Sequence, residues 1–109
     1  MTLIVNNQLW KILFVNPNDK NLITNNGIYT LGMTDNNVKT VFISNALRGK
    51  LLYKVLCHEL CHVYCFSYGI KLSIMDEERL AQFVSEYGNG IITNAEYLLS
   101  YMFDNKMVL

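Results

Sequence analysis

The chain contains two histidines, His58 and His62, set four residues apart, with Glu59 directly after the first. This spacing constrains the fold more than any other feature. On an α-helix, residues i and i+4 stand about one turn apart on the same face, so both imidazoles can reach a single ion. Glu59 then projects about 100° round the helix from His58, near enough to touch a water on that ion without ligating it. The flanks agree with a helix. Leu51, Leu52, Val55 and Leu56 precede the motif, Val63 and Phe66 come after it, and Gly69 is placed to end the helix in a left-handed cap. Gly49 would weaken such a helix, so it is expected over residues 50–68.

The pattern His58-Glu59-Leu60-Cys61-His62 is the H-E-x-x-H arrangement of zinc peptidases. Zinc would lower the pKa of a bound water, and Glu59 would take its proton as general base. The plainer alternative is a helix carrying two packed histidines and a solvated glutamate.

A catalytic zinc needs a third protein ligand. Asp76-Glu77-Glu78 opens a second helical stretch and is the best source. At 100° per residue, Leu80, Ala81, Val84 and Gly88 fall within about 60° of Glu77, whereas Gln82, Ser85 and Glu86 share the side of Glu78. Glu77 is therefore expected to point inward as the third ligand and Glu78 towards water, with Glu78 kept as an alternative ligand. Cys65, seven residues after His58 and within about 20° of its direction, is the other alternative. Cys57, Cys61 and Cys65 otherwise read as packing residues on one helix, and an odd number of them does not suggest a disulfide framework.

Taken in order, residues 10–15, 27–32 and 38–43 read as strands, the last two as a hairpin across turn-forming Thr34-Asp35-Asn36-Asn37. Ser44 or Asn45 can cap the helical region after the third strand. A second helix should begin at Ile74 and end near Gly88-Asn89-Gly90, and a third should start at the Thr93-Asn94-Ala95-Glu96 capping box and run to about Phe103. The tail from Asp104 to Leu109 is expected to fray. Strands preceding helices indicate an α+β class: a small antiparallel sheet of about three strands, with the first two helices on one face. With 109 residues and a 51% hydrophobic content, one domain with its own core is expected.

Charged residues make up 17% of the chain and the formal net charge is zero, so neither nucleic acid nor a membrane surface is an expected partner. The opening residues lack a basic stretch and a long apolar run, and no run reaches transmembrane length, so a cytoplasmic protein is expected.

These residues resemble the small ImmA/IrrE-type metallopeptidases, particularly short phage and prophage members. The resemblance runs from about Tyr29 to Ile92, through Gly32-Met33-Thr34-Asp35, Val41-Phe42-Ile43-Ser44, the H-E-x-x-H helix, and Glu77-Glu78-Arg79-Leu80-Ala81. It implies a zincin-like gluzincin fold with one Zn2+ on His58, His62 and a downstream glutamate. It also implies Glu59 as base and a repressor-type or other regulatory protein as substrate. In zincins an edge strand holds the substrate extended; residues 38–43 or 27–32 would serve here by strand addition. No histidine is left to stabilise an oxyanion, which leaves Tyr64, Tyr68 and Tyr87 as candidates. The function implied is a zinc endopeptidase of narrow specificity. The alternative is a non-catalytic binding protein on the same scaffold that inhibits a host protein stoichiometrically. A structural zinc site closed by Cys65 is a third reading. Oligomeric state, substrate identity and cleavage site are not legible in the sequence.

Overall fold

The computed structural model describes residues 1–104. The chain forms strands β1 (Thr2–Val5) and β2 (Gln8–Val15), a short 3-10 turn (Lys20–Leu22), strands β3 (Gly32–Asp35) and β4 (Thr40–Ser44), and helices α1 (Gly49–Ser67) and α2 (Ile74–Asp104). This is an α+β arrangement, as expected. The sheet, however, has four strands in the order β1-β2-β4-β3, and it is mixed: β2 and β4 run parallel while both outer pairs are antiparallel.

The additional strand is β1. Asn6 and Asn7 both take positive φ, 49° and 62°, which is the backbone of a two-residue hairpin turn and matches the twist of its flanking strands. The expected hairpin between the later strands is also present, but its first strand is displaced. Residues 24–30 form a loop tied by Thr24 N–H to Ile28 O (2.9 Å) and Thr30 N–H to Leu22 O (2.8 Å). The strand begins only at Gly32, where it was expected to end. The turn falls after Asp35, whose carboxylate accepts from Asn37 N–H at 2.9 Å.

Alternation along β2 and β4 sends Trp10, Ile12, Val41 and Ile43 to the face covered by α1. Val5, Leu47 and Val63 complete that core. Trp10 is fully buried, and its indole Nε1 donates to Ser67 Oγ at 2.8 Å, which fixes the C-terminal end of α1 against the sheet. Gly69 ends α1 as expected. Its φ is +64°, and its N–H bonds Phe66 O while Ile70 N–H bonds Cys65 O, closing a Schellman cap. At the other end Arg48 is the N-cap residue, and Ser44 and Asn45 lie outside the helix.

α2 departs most from expectation. It is one helix of 31 residues that passes through Gly88-Asn89-Gly90 without a break and absorbs the expected third helix. It packs on α1 rather than on the sheet. No helix among the described residues is long and apolar enough to cross a membrane. Of the tail expected to fray, Asp104 is the last residue of α2, and residues 105–109 lie outside the described residues.

Candidate metal centre

The site grows from the way α1 divides its circumference. Leu52, Leu56, Leu60 and Val63 meet the sheet. Glu59 lies at the edge of that stripe beside β3, while His58 and His62 lie further round, towards α2.

Glu59 is buried, 7% exposed, and its Oε1 accepts from the Thr34 hydroxyl at 2.9 Å. Burial pushes its pKa above the ordinary carboxylate range, and the Thr34 hydrogen bond opposes that shift only in part. Gly32 makes this approach possible. A Cβ on Gly32 would stand 2.9 Å from both Glu59 Cγ and Val55 Cγ1, so only glycine lets β3 lie this close to the helix.

The two acidic residues at the start of α2 both reach the histidines, in different ways. The Glu78 carboxylate spans the pair: Oε2 lies 3.1 Å from His58 Nε2 and Oε1 lies 3.0 Å from His62 Nε2. Glu77 lies on the other side of His62, with Oε2 2.6 Å from Nδ1. The group whose ligand atoms all fall within 4.8 Å of one another, close enough to hold a metal ion, is therefore His58, His62 and Glu78. Glu77, expected as the third ligand, lies outside that group and contacts His62 at Nδ1. Glu78, expected to face water, is half exposed but turns its carboxylate onto both imidazoles.

The reason is a modest rotation of α2. Leu80, used to orient the buried stripe, is 38% exposed, whereas Ser85, assigned to the wet side, is 9% exposed. The buried face centres on Ala81 and leans towards Ser85, so Glu77 and Glu78 straddle it.

The donor set suits a cation. Glu77 can only accept, so the hydrogen of a neutral His62 ring sits on Nδ1 and its Nε2 presents a lone pair. The 3.0 Å approach of Glu78 to Nε2 is met either by a cation held between the two groups or by a second ring proton on Nε2. Two imidazole nitrogens and one carboxylate also form the His2Glu set of catalytic zinc sites.

Cys65 is buried and lies outside this group. Tyr64 and Tyr68 stack on each other at 6.0 Å and Tyr87 packs on Phe83 at 5.2 Å. All three tyrosines are more than half exposed, and none lines the cleft that holds the histidines.

That cleft has a volume of about 870 Å³ and lies between α1, α2 and β3. Leu31, Met33, Val55, Phe66 and Ile74 contribute apolar walls, and the Lys54–Glu86 ion pair (3.1 Å) stands in its lining. β3 is an edge strand of the sheet. Leu31 O accepts from Ser44 N–H, so by alternation Met33 and Asp35 also pair with β4, while the backbone groups of Gly32 and Thr34 turn to the free edge. Of the two stretches expected to line the cleft, residues 38–43 contribute to the internal strand β4, whereas residues 27–32 reach the cleft at Thr30, Leu31 and Gly32, of which only Gly32 belongs to the edge strand. The sequence reading missed Thr34 and Gly32 as functional positions. A glycine and a hydroxyl in alternation beside a motif helix were the available signal.

Compared with protein-family models, curated proteins and solved structures, the chain matches none of them.

Proposed function

We propose that the protein is a zinc metalloendopeptidase of zincin-like architecture, acting on an extended segment of a protein substrate such as a transcriptional repressor. The observation that carries this reading is the convergence of His58, His62 and Glu78 at one point, with the buried carboxylate of Glu59 on the adjoining side of the same helix. Zinc bound there would supply a Lewis acid for the scissile carbonyl and acidify water.

The chain's own residues have the remaining tasks. Glu59 takes a proton from the attacking water and delivers it to the leaving amine. Its raised pKa suits both steps, since an ordinary carboxylate would be a weaker base and a poorer donor near neutral pH. Thr34 fixes the direction of that carboxylate from the edge strand. Glu77 orients His62. The outward N–H of Gly32 and the outward backbone groups of Thr34 offer a template on which an extended peptide adds as a further strand, beside a Gly32 carbonyl that accepts from the Thr30 hydroxyl at 3.1 Å, while the apolar walls accept its side chains.

A second reading, a binding protein on the same scaffold, is favoured by one observation: none of the three tyrosines lines the cleft to support an oxyanion. Turnover separates the two readings. Glu59→Gln should retain zinc and fold and abolish hydrolysis of a substrate that wild-type protein cleaves substoichiometrically. Full turnover by the variant would overturn the mechanism, and stoichiometric inhibition without cleavage by wild type would favour the binding protein.

A further inference from the structure

The second half of α2 carries an apolar face that nothing in the described chain covers. α1 and α2 run antiparallel, as His62 against Glu77 and Lys54 against Glu86 show. α1 begins at Gly49, so α2 passes its end soon after Gly88 and continues for about 16 residues, or about 24 Å. Every residue from Asn89 to Tyr101 is exposed, and so is Phe103, whereas Gly88 and Met102 are half-buried. Yet the side chains remain segregated. Gly88, Ile91, Ile92, Ala95, Leu98, Leu99, Met102 and Phe103 lie within about 80° of one direction, the same direction that carries Ala81 and Val84 onto α1. Asn89, Thr93, Asn94, Glu96, Tyr97, Ser100 and Asp104 lie elsewhere on the circumference.

We propose that this face is a dimer interface, occupied by the same arm of a second copy of the chain in antiparallel orientation. Three observations select that occupant. First, the arm is self-complementary about Ala95. With Ala95 on the two-fold axis, Ile91 meets the partner's Leu99, Ile92 meets the partner's Leu98, and Gly88 makes room for the partner's Met102, as an isologous interface requires. Second, the area suffices. Ile91, Ile92, Leu98, Leu99 and Phe103 are each about half exposed or more. At about 100 Å² apiece they offer roughly 500 Å² per chain, about 1,000 Å² across the pair, which meets the minimum of about 1,000 Å² that a specific interface needs. Third, the helix needs support where it has none within the chain. Gly88-Asn89-Gly90 and Thr93-Asn94 are poor helix formers, and a helix of this length is marginal alone in water. A lipid surface is disfavoured as occupant because residues 88–104 contain no lysine or arginine, which helices lying on membranes carry on their polar face.

The test is the solution mass of the full chain by sedimentation equilibrium at micromolar concentration, and it does not depend on the metal site. Wild type should have twice the chain mass of 12.6 kDa. Ala95→Lys should have the single mass and lose the part of the helical circular dichroism that the unsupported arm contributes, while the rest of the domain keeps its cooperative unfolding. Tyr97→Lys, on the opposite side of the helix, should remain dimeric. Ala95→Cys should form a disulfide-linked dimer under mild oxidation, and Thr93→Cys should not. A monomeric wild type, a dimer that survives Ala95→Lys, or binding of a monomeric chain to phosphatidylglycerol vesicles would each overturn the proposal.

Discussion

Replacing Gly32 with alanine tests how β3 and the base are held together. The new methyl would stand 2.9 Å from Glu59 Cγ and 2.9 Å from Val55 Cγ1. Carbon atoms in good contact are about 3.5–4.0 Å apart, so each gap is short by roughly 0.6–1.1 Å. Something must yield. β4 is held in the middle of the sheet, but β3 is bonded on one side only, so the edge strand moves outward. That movement lengthens the 2.9 Å Thr34–Glu59 hydrogen bond. Overpacking of this kind costs about 1–3 kcal/mol, which lowers the melting temperature of a domain near this size by about 4–8 °C per kcal/mol. Zinc affinity should be unchanged, because His58, His62 and Glu78 do not meet the added methyl. Gly90→Ala is the control. A Cβ there meets nothing within 4 Å, and alanine in a helix interior is better than glycine by about 0.5–1 kcal/mol, so this variant should be more stable. The assays are urea denaturation and zinc titration of both variants. A Gly32→Ala protein as stable as wild type, or one that loses zinc while remaining folded, would refute the reasoning.

Two further outcomes concern the interior. Trp10→Phe leaves the buried Ser67 hydroxyl without its 2.8 Å partner and should cost about 1–3 kcal/mol in denaturant unfolding; an unchanged midpoint would show that the hydrogen bond contributes nothing. Burial, with the neighbouring Cys65 thiol and acidic side chains adding to it, pushes the Cys61 thiol up to about 12. The thiolate therefore becomes abundant only as pH approaches that value, and at pH 8 native Cys61 should react with a thiol reagent orders of magnitude more slowly than in the unfolded chain. Equal rates, located by peptide mapping, would contradict this.

The parts of the site that were legible in sequence are those fixed by local spacing. His58, Glu59 and His62 needed only a helix, and Gly69 ended it because a left-handed residue is required there. The choice between Glu77 and Glu78 depended on the rotation of α2 to within about half a residue's turn, and Leu80 was a misleading guide to it. Leu80 is apolar yet partly exposed, whereas the small polar Ser85 fits the crowded interface and satisfies its hydroxyl on Gln82 O. The class of fold was readable from element order, but the parallel pairing of β2 with β4 was not, since it joins segments separated by a loop and an edge strand. β1 is four residues long and carries too little pattern to announce itself, although Asn6-Asn7 between two apolar runs was a usable hairpin signal. Gly88-Asn89-Gly90 is a strong local stop that the helix overrides, and packing against a second copy is the counterweight we infer.

The central claim is that His58, His62 and Glu78 hold a zinc ion while Glu77 orients His62. Metal analysis of the purified protein and its two glutamate variants, after dialysis against a competing chelator, tests it most directly. Wild type should carry one zinc per chain. Glu78→Ala should lose it. Glu77→Gln should bind it about 10–100-fold more weakly, as expected when a ligand histidine loses its outer hydrogen-bond partner. Zinc retained in Glu78→Ala and lost in Glu77→Gln would contradict the assignment, and metal-free wild-type protein that does not take up zinc would contradict the centre itself.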